Sequence, residues 1–281
     1  MKNIKYLLKK IFPKLYTIMK IIFNKHELNI KFSGWGMKIE QSPPWMGTVK
    51  VPLSINFLKI KKKLIRRIKS NKFILSQFLN EPHINNTQDV IKQLNELDYR
   101  HFIIYYATNS SYNNTKSKNI VECGVCDGLT VFFVMNIYKK SSKFNAYLYD
   151  SWDSMRKKDV VKEKKNLGLY SYLDINNTKK NLIEFKDNTI FNHGYIPEIF
   201  KSTSKHPKDI SLLHIDLNAT KPTIDSLNFF FKKLEVNGII IFDDYAWDGY
   251  EHTRKVIDNF LLNKKGDFLH MPTGQAIFIK K

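Results

Sequence analysis

Apolar residues recur at helical spacing along Ile4, Leu7, Leu8, Ile11, Leu15, Ile18, Met19 and Ile22, with Lys5, Lys9, Lys10, Lys14 and Lys20 mostly between them. This pattern predicts an amphipathic basic helix, and Pro13 inside it predicts two pieces or a kink. A second basic helix is expected over 54–79, with Lys61, Lys62, Lys63, Arg66, Arg67 and Lys69 on a solvated face. Between the two lies a Gly/Pro/aromatic stretch, Phe32-Ser33-Gly34-Trp35-Gly36-Met37 and then Ser42-Pro43-Pro44-Trp45, which reads either as a flap over a ligand site or as a packed turn.

From residue 88 the pattern changes to helices alternating with short apolar runs. Helices are expected over 88–107, 130–138, 223–234 and 251–262, and strands over 119–123, 145–150, 189–193, 210–216 and 238–244. A long helical and polar insertion spans about 154–181, and residues 267–271 with 275–280 form a terminal hairpin around Pro272-Thr273-Gly274. Strands alternating with helices predict an α/β fold with a mostly parallel sheet covered on both faces. The chain therefore divides into a basic helical region, 1–87, and an α/β domain, 88–281.

Composition sharpens this reading. The 281 residues are 43% hydrophobic and 26% charged, which excludes a disordered chain. The net charge of +20 invites a nucleic-acid partner, yet only five of the 46 basic residues are arginine, and base and phosphate readers lean on arginine forks. Residues 1–70 hold 17 Lys/Arg against Glu27 and Glu40, so the excess charge belongs to the front end and no nucleic-acid partner is expected. A basic amphipathic helix there suits either the surface of an anionic membrane or packing on its own domain or a sister subunit in a homo-oligomer. Cys123 and Cys126 cannot form a disulfide framework, no apolar run is long enough to span a bilayer, and Lys20 splits the only candidate signal core. A cytoplasmic chain is the expectation, either free or associated with a membrane through the basic N-terminal helix.

Candidate chemistry gathers at the carboxyl ends of the predicted strands. The first runs into Glu122-Cys123-Gly124-Val125-Cys126-Asp127-Gly128-Leu129-Thr130, a glycine turn opening a helix. It lacks both the dinucleotide fingerprint and the phosphate-loop ending, which disfavours NAD and ATP. With Glu122 as its acid, the loop suits a ligand with an amino group and a positive sulfonium, which describes S-adenosylmethionine; a tight packing turn is the alternative. One strand later, Asp150 can accept a ribose diol and Trp152 can cover an adenine face. The C-x-x-C spacing has no second pair to complete a zinc site.

Further on, Asp216 in His214-Ile215-Asp216-Leu217-Asn218 and Asp243 and Asp244 in Phe242-Asp243-Asp244-Tyr245 end two strands expected to be neighbours, about 4.8 Å apart. Three like charges are tolerable around a cation, and all-oxygen ligands suit Mg²⁺, Mn²⁺ or Ca²⁺; helix capping by Asp243 or Asp244 is the alternative. A cation beside a methyl donor makes sense for O-methylation. His214, in a buried strand, and His252, more exposed, are the histidines nearest this edge and the candidate bases.

Val-Glu-Cys-Gly-Val, Tyr-Asp-Ser-Trp, His-Ile-Asp-Leu-Asn, Gly-Ile-Ile-Ile-Phe-Asp-Asp-Tyr and Met-Pro-Thr-Gly-Gln-Ala-Ile-Phe-Ile-Lys together resemble the macrocin O-methyltransferase (TylF/MycF/NovP-like) family of class I S-adenosylmethionine-dependent enzymes, over about residues 88–281. The resemblance implies a Rossmann-like seven-stranded sheet with a reversed last strand, Mg²⁺, and sugar or glycan hydroxyls as acceptors. By matched positions it implies Asp216, Asp243 and Asp244 as metal ligands and Glu122, Gly124 and Asp150 at the cofactor, with Gly128 and Trp152 beside them. One departure matters: the family places a second acid two residues after the first metal aspartate, and Asn218 stands there. An amide cannot take a proton, so either a histidine (His214 or His252), the metal's own hydroxide or one of the ligand carboxylates, Asp216 among them, serves, or the acceptor is a different one. A non-catalytic cofactor-binding or scaffold protein is the rival reading.

Overall fold

The computed structural model describes residues 54–160, 163 and 166–281, together with the backbone of two short antiparallel strands, β1 (Glu27–Ile30) and β2 (Val49–Pro52). The helix expected over 4–22 and the loop at 32–45 lie outside the described residues.

The remaining strands are β3 (Asn119–Cys123), β4 (Asn145–Asp150), β5 (Thr189–His193), β6 (Ile210–Ile215), β7 (Leu234–Phe242), β8 (Gly266–His270) and β9 (Ala276–Lys280). They form one seven-stranded sheet in the order β5-β4-β3-β6-β7-β9-β8. The first five strands pair in parallel and β9 runs antiparallel to β7 and β8. This is the expected Rossmann-like arrangement. Strand order reverses between β3 and β6, so a crevice opens at their carboxyl ends.

Period-two alternation sends neighbouring strand residues to opposite cores. Ile120, Leu148, Leu212, Ile239 and Ile241 join one cluster, whereas Val121, Tyr149, Leu213, Ile240 and Phe242 join the other. The first is covered by helices α1 (Ile55–Lys69), α3 (Thr87–Glu96), α4 (Asp98–Asn114) and α5 (Leu129–Tyr138). The second is covered by α7 (Ile199–Ser202), α8 (Thr220–Phe230) and α9 (Glu251–Leu261); α2 (Ser76–Leu79) adds Phe78 to the first cluster and borders the crevice, and α6 (Ile175–Asn181) packs Ile175 on the first cluster.

Several boundaries differ from expectation for physical reasons. The predicted helix over 54–79 is two, because α1 ends at Ser70 and Asn71 turns to φ 55° before α2 begins. Ser54 caps α1 by accepting the Phe57 N–H at 3.1 Å, and Phe57, Ile60, Leu64 and Ile68 are buried, Phe57 against Tyr105 of α4 and Phe133 of α5. Helix α1 thus packs into the same core as the sheet, so residues 54–87 do not separate from the domain expected to start at 88. Nor is its basic face wholly solvated: Lys61 is buried against Asp98, while Lys63 and Arg67 pair with Glu184. The helix predicted over 88–107 breaks at Leu97 without a Gly or Pro to announce it, and the polar insertion is, among its described residues, mostly turns, with Gly168 and Tyr170 at positive φ before α6. Among the described residues no helix is long and apolar enough to cross a membrane.

Candidate active site

The crevice at the carboxyl edge is a cavity of about 530 Å³, within the range of small-molecule sites. Its floor is the turn after β3. Gly124 has φ +86°, and a Cβ there would lie 1.7 Å from the Asp216 carbonyl oxygen, so only glycine lets this turn approach the end of β6. Asp150, at the end of β4, fastens the turn from the other side: its Oδ2 accepts the N–H groups of Val125 (2.6 Å) and Cys126 (2.8 Å), and its Oδ1 accepts the Trp152 N–H (2.7 Å). Burial pushes Asp150 above the ordinary carboxylate range, and those three N–H groups oppose the rise. With two lone pairs on each oxygen, Oδ2 is filled by its two N–H donors and Oδ1 keeps one acceptor position beside the Trp152 N–H.

The second half of the edge is built from β6 and β7. Arg100, in the first turn of α4, spreads its guanidinium across it: Nη2 donates to Asp216 Oδ2 at 2.8 Å, Nε to Asp243 Oδ2 at 2.9 Å and Nη1 to Thr130 Oγ1 at 2.9 Å. Gln275 Nε2 donates to the other oxygen of Asp243 at 2.7 Å. Asp243 is held well below the ordinary carboxylate range, because Arg100 and His214 outweigh the effect of burial. Asp216 is pushed up to about 7 by burial and by Asp243, against Arg100; its side chain keeps 25% of its surface open to the cavity, which limits the burial effect. Asp244 is raised by burial and by both neighbouring carboxylates, and its Oδ2 accepts the Asn218 N–H at 2.7 Å.

Of the residues singled out in the sequence, Gly124, Asp150, Asp216, Asp243 and Asp244 line the cavity and Glu122, Gly128, Trp152, His214 and His252 do not. Glu122 points to one face of the sheet rather than out of its edge. It pairs in register with His214, and the two side chains meet there, Nδ1 to Oε1 at 2.9 Å, so Glu122 orients a histidine instead of facing the cofactor space. Burial would lower His214, but the carboxylate of Asp243, 3.7 Å from Nε2 and too far for a hydrogen bond, and that of Glu122 raise it to about 9. Gly128, at φ +81°, starts α5 and packs against Thr178 and Leu182. Trp152 does not cover the cavity: its indole is buried, donating from Nε1 to the Cys126 carbonyl at 3.0 Å and to Thr178 Oγ1 at 2.9 Å, which braces the glycine turn from behind. His252 is exposed on α9, away from the cavity.

Sequence reasoning missed Arg100, Gln275, Tyr250 and Asn166. Tyr250 donates its hydroxyl to Asn218 Oδ1 at 2.6 Å, and Asn166 Nδ2 reaches the Asn218 carbonyl at 2.8 Å, so Asn218 is locked in place. The signal for Arg100 was its rarity, one of five arginines in a lysine-rich chain; for Gln275 it was a place inside a quoted motif.

Two ligand classes can be weighed against this geometry. Nine carboxylates and one arginine line the cavity of a chain whose net charge is +20, which favours a positively charged small molecule and fits S-adenosylmethionine. A divalent ion fits less well. Among the described residues, one atom each of His214, Asp216 and Asp243 lies within 4.8 Å of the others, while Asp244 stands outside that group, turned toward Asn218. The guanidinium of Arg100 already occupies hydrogen-bonding positions on both Asp216 and Asp243, so the expected trio does not accept Mg²⁺ as it stands.

Residues 121–245 match the family described as "Methyltransferase domain". No curated protein matches the sequence. Among solved structures, the chain is similar to the O-methyltransferase NovP, at 14% identity and a TM-score of 0.59, covering 80% of this chain and 99% of that one. It is also similar to CalS11, a calicheamicin methyltransferase, at 14% identity and a TM-score of 0.55, covering 82% and 94%. The sheet order agrees with these solved structures on a Rossmann-like methyltransferase fold, and the methyltransferase-domain match falls on residues 121–245, the part of that fold that carries the carboxyl-edge cavity.

Proposed function

We propose that this protein is an S-adenosylmethionine-dependent O-methyltransferase acting on a sugar or glycan hydroxyl, as the motif resemblance to the macrocin-type enzymes implies. The observation that carries the reading is the acid-lined cavity at the switch point of the sheet, with Gly124 and Asp150 on one side and Asp216 on the other. S-adenosylmethionine, when bound, supplies an electrophilic methyl group on a positive sulfur. The chain's part is to align the acceptor hydroxyl with that carbon and to receive the hydroxyl proton. Asp150 and the glycine turn are the ribose side of the cavity. Asp216 is the base: it opens onto the cavity, whereas His214 is sealed behind the sheet and His252 lies off the cavity. Asn218, fixed by Tyr250 and Asn166, donates from Nδ2 toward Asp216 Oδ1 at 3.5 Å and orients that base rather than replacing it.

Metal assistance has no place in this reading, since Arg100 holds the carboxylates an ion would need. Single-turnover methyl transfer to a pool of sugar acceptors tests it. Asp216→Asn is expected to lower the transfer rate by ~10²–10³-fold while leaving cofactor affinity within a few-fold. Unchanged transfer by Asp216→Asn would remove Asp216 as the base. Asn218 favours one rival, a cofactor-binding protein that has lost its base, which predicts affinity without turnover on any acceptor.

A further inference from the structure

The aspartates that end β6 and β7 form the place where this kind of edge would take a divalent cation, and the chain fills that place itself. We propose that Arg100 is the resident cation of the site, holding Asp216 and Asp243 in position without a metal ion. Three independent N–H groups of one guanidinium are used: Nη2 on Asp216, Nε on Asp243 and Nη1 on Thr130. A planar fork can serve two carboxylates and a hydroxyl in one geometry, which the point charge of a lysine cannot. That requirement explains why arginine stands here in a chain with 41 lysines and five arginines.

The surroundings complete the substitution. Gln275 occupies the second oxygen of Asp243 at 2.7 Å, so both oxygens of that carboxylate are engaged by the protein. His214 Nε2 sits 3.7 Å from the same oxygen and closes that side of the carboxylate. Arg100 is itself enclosed, with 12% of its side chain accessible. An ion bridging Asp216 and Asp243 would have to approach both oxygens to ~2.1 Å, shed water it releases reluctantly, and displace or face a guanidinium in a poorly solvated site, where like charges repel strongly. The Thr130 contact adds a second consequence: it ties the aspartates to the first turn of α5, directly after the glycine turn, so the acceptor side and the cofactor side of the cavity are joined through one side chain.

Titration of the full-length protein with Mn²⁺, followed by the paramagnetic resonance signal of the free ion, tests this. The readout needs neither cofactor nor acceptor, so it stands or falls separately from the methyltransferase reading. Wild type is expected to leave Mn²⁺ free, whereas Arg100→Gln and Arg100→Ala should bind one ion per chain with a gain of ~10²-fold, lost again in Arg100→Gln combined with Asp243→Asn. The proposal is overturned if wild type binds one Mn²⁺ per chain and Asp243→Asn abolishes it, or if folded Arg100 variants bind no more tightly than wild type. Should circular dichroism show both Arg100 variants unfolded, the wild-type titration decides alone: a free ion supports the proposal and a bound one that depends on Asp243 ends it.

Discussion

The two halves of the carboxyl edge solve one problem, a carboxylate in a desolvated crevice, in opposite ways. On the β3–β4 side, Asp150 is satisfied by backbone N–H groups from its own neighbourhood, the turn at Val125 and Cys126 and the residue two places on at Trp152. On the β6–β7 side, Asp216 and Asp243 depend on side chains from elements distant in sequence, Arg100 on α4 and Gln275 before β9. Local satisfaction makes a rigid cradle that can be copied from one motif. Remote satisfaction makes a site whose charge balance is set by tertiary packing and fails when one distant partner is removed.

The largest expected effect breaks the second half. Asp243→Ala leaves Arg100 and His214 facing each other without their shared counter-ion, and removing one partner of a buried pair costs ~3–5 kcal/mol. Urea denaturation should show that loss, and a change below ~1 kcal/mol would mean the network is not holding this edge together.

A middle-sized effect sharpens the link between the halves. His214 is raised from its ordinary 6.5 to about 9, so its charge contributes stability in full below about 6.5, and that contribution disappears as pH climbs through about 9. Imidazole proton shifts should titrate near the upper value in wild type. In Glu122→Gln the midpoint should move down toward 6.5 and the window of pH-dependent stability should narrow; an unmoved midpoint would show that Glu122 does not set it.

The smallest effect belongs to the first half. Trp152→Phe removes two hydrogen bonds behind the glycine turn and keeps an aromatic ring, so thermal unfolding should report only about 1–3 kcal/mol while cofactor affinity stays within a few-fold. A loss of affinity by ten-fold or more would restore the indole to the cofactor surface.

What was legible in the sequence follows the same division. Strands β3, β4 and β5 coincide with their expected ranges to the residue, because each carries a short apolar run, Ile120-Val121, Ala146-Tyr147-Leu148-Tyr149 and Ile190-Phe191, between polar ends. Gly124 and Asp150 could be placed because their partners lie within one βαβ unit. Arg100 could not, since nothing in Asp98-Tyr99-Arg100 links it to a strand more than 100 residues later; only the helix break at Leu97 and the docking of α4 bring it to the edge. Glu122 and Trp152 were misplaced for a related reason. Composition shows that an acid and an indole stand near a ligand turn, but the pleat sends Glu122 sideways to His214 and positive φ at Trp152 folds its ring under Thr178.

The central claim is that the cradle formed by Gly124 and Asp150 holds the adenosyl part of S-adenosylmethionine. Isothermal titration of the folded protein with that cofactor tests it most directly. One molecule should bind per chain, and Asp150→Ala should weaken binding by ~10-fold or more, the loss of at least one charge-assisted hydrogen bond. Absence of any binding heat, or an Asp150→Ala variant that binds as tightly as wild type, would contradict the account.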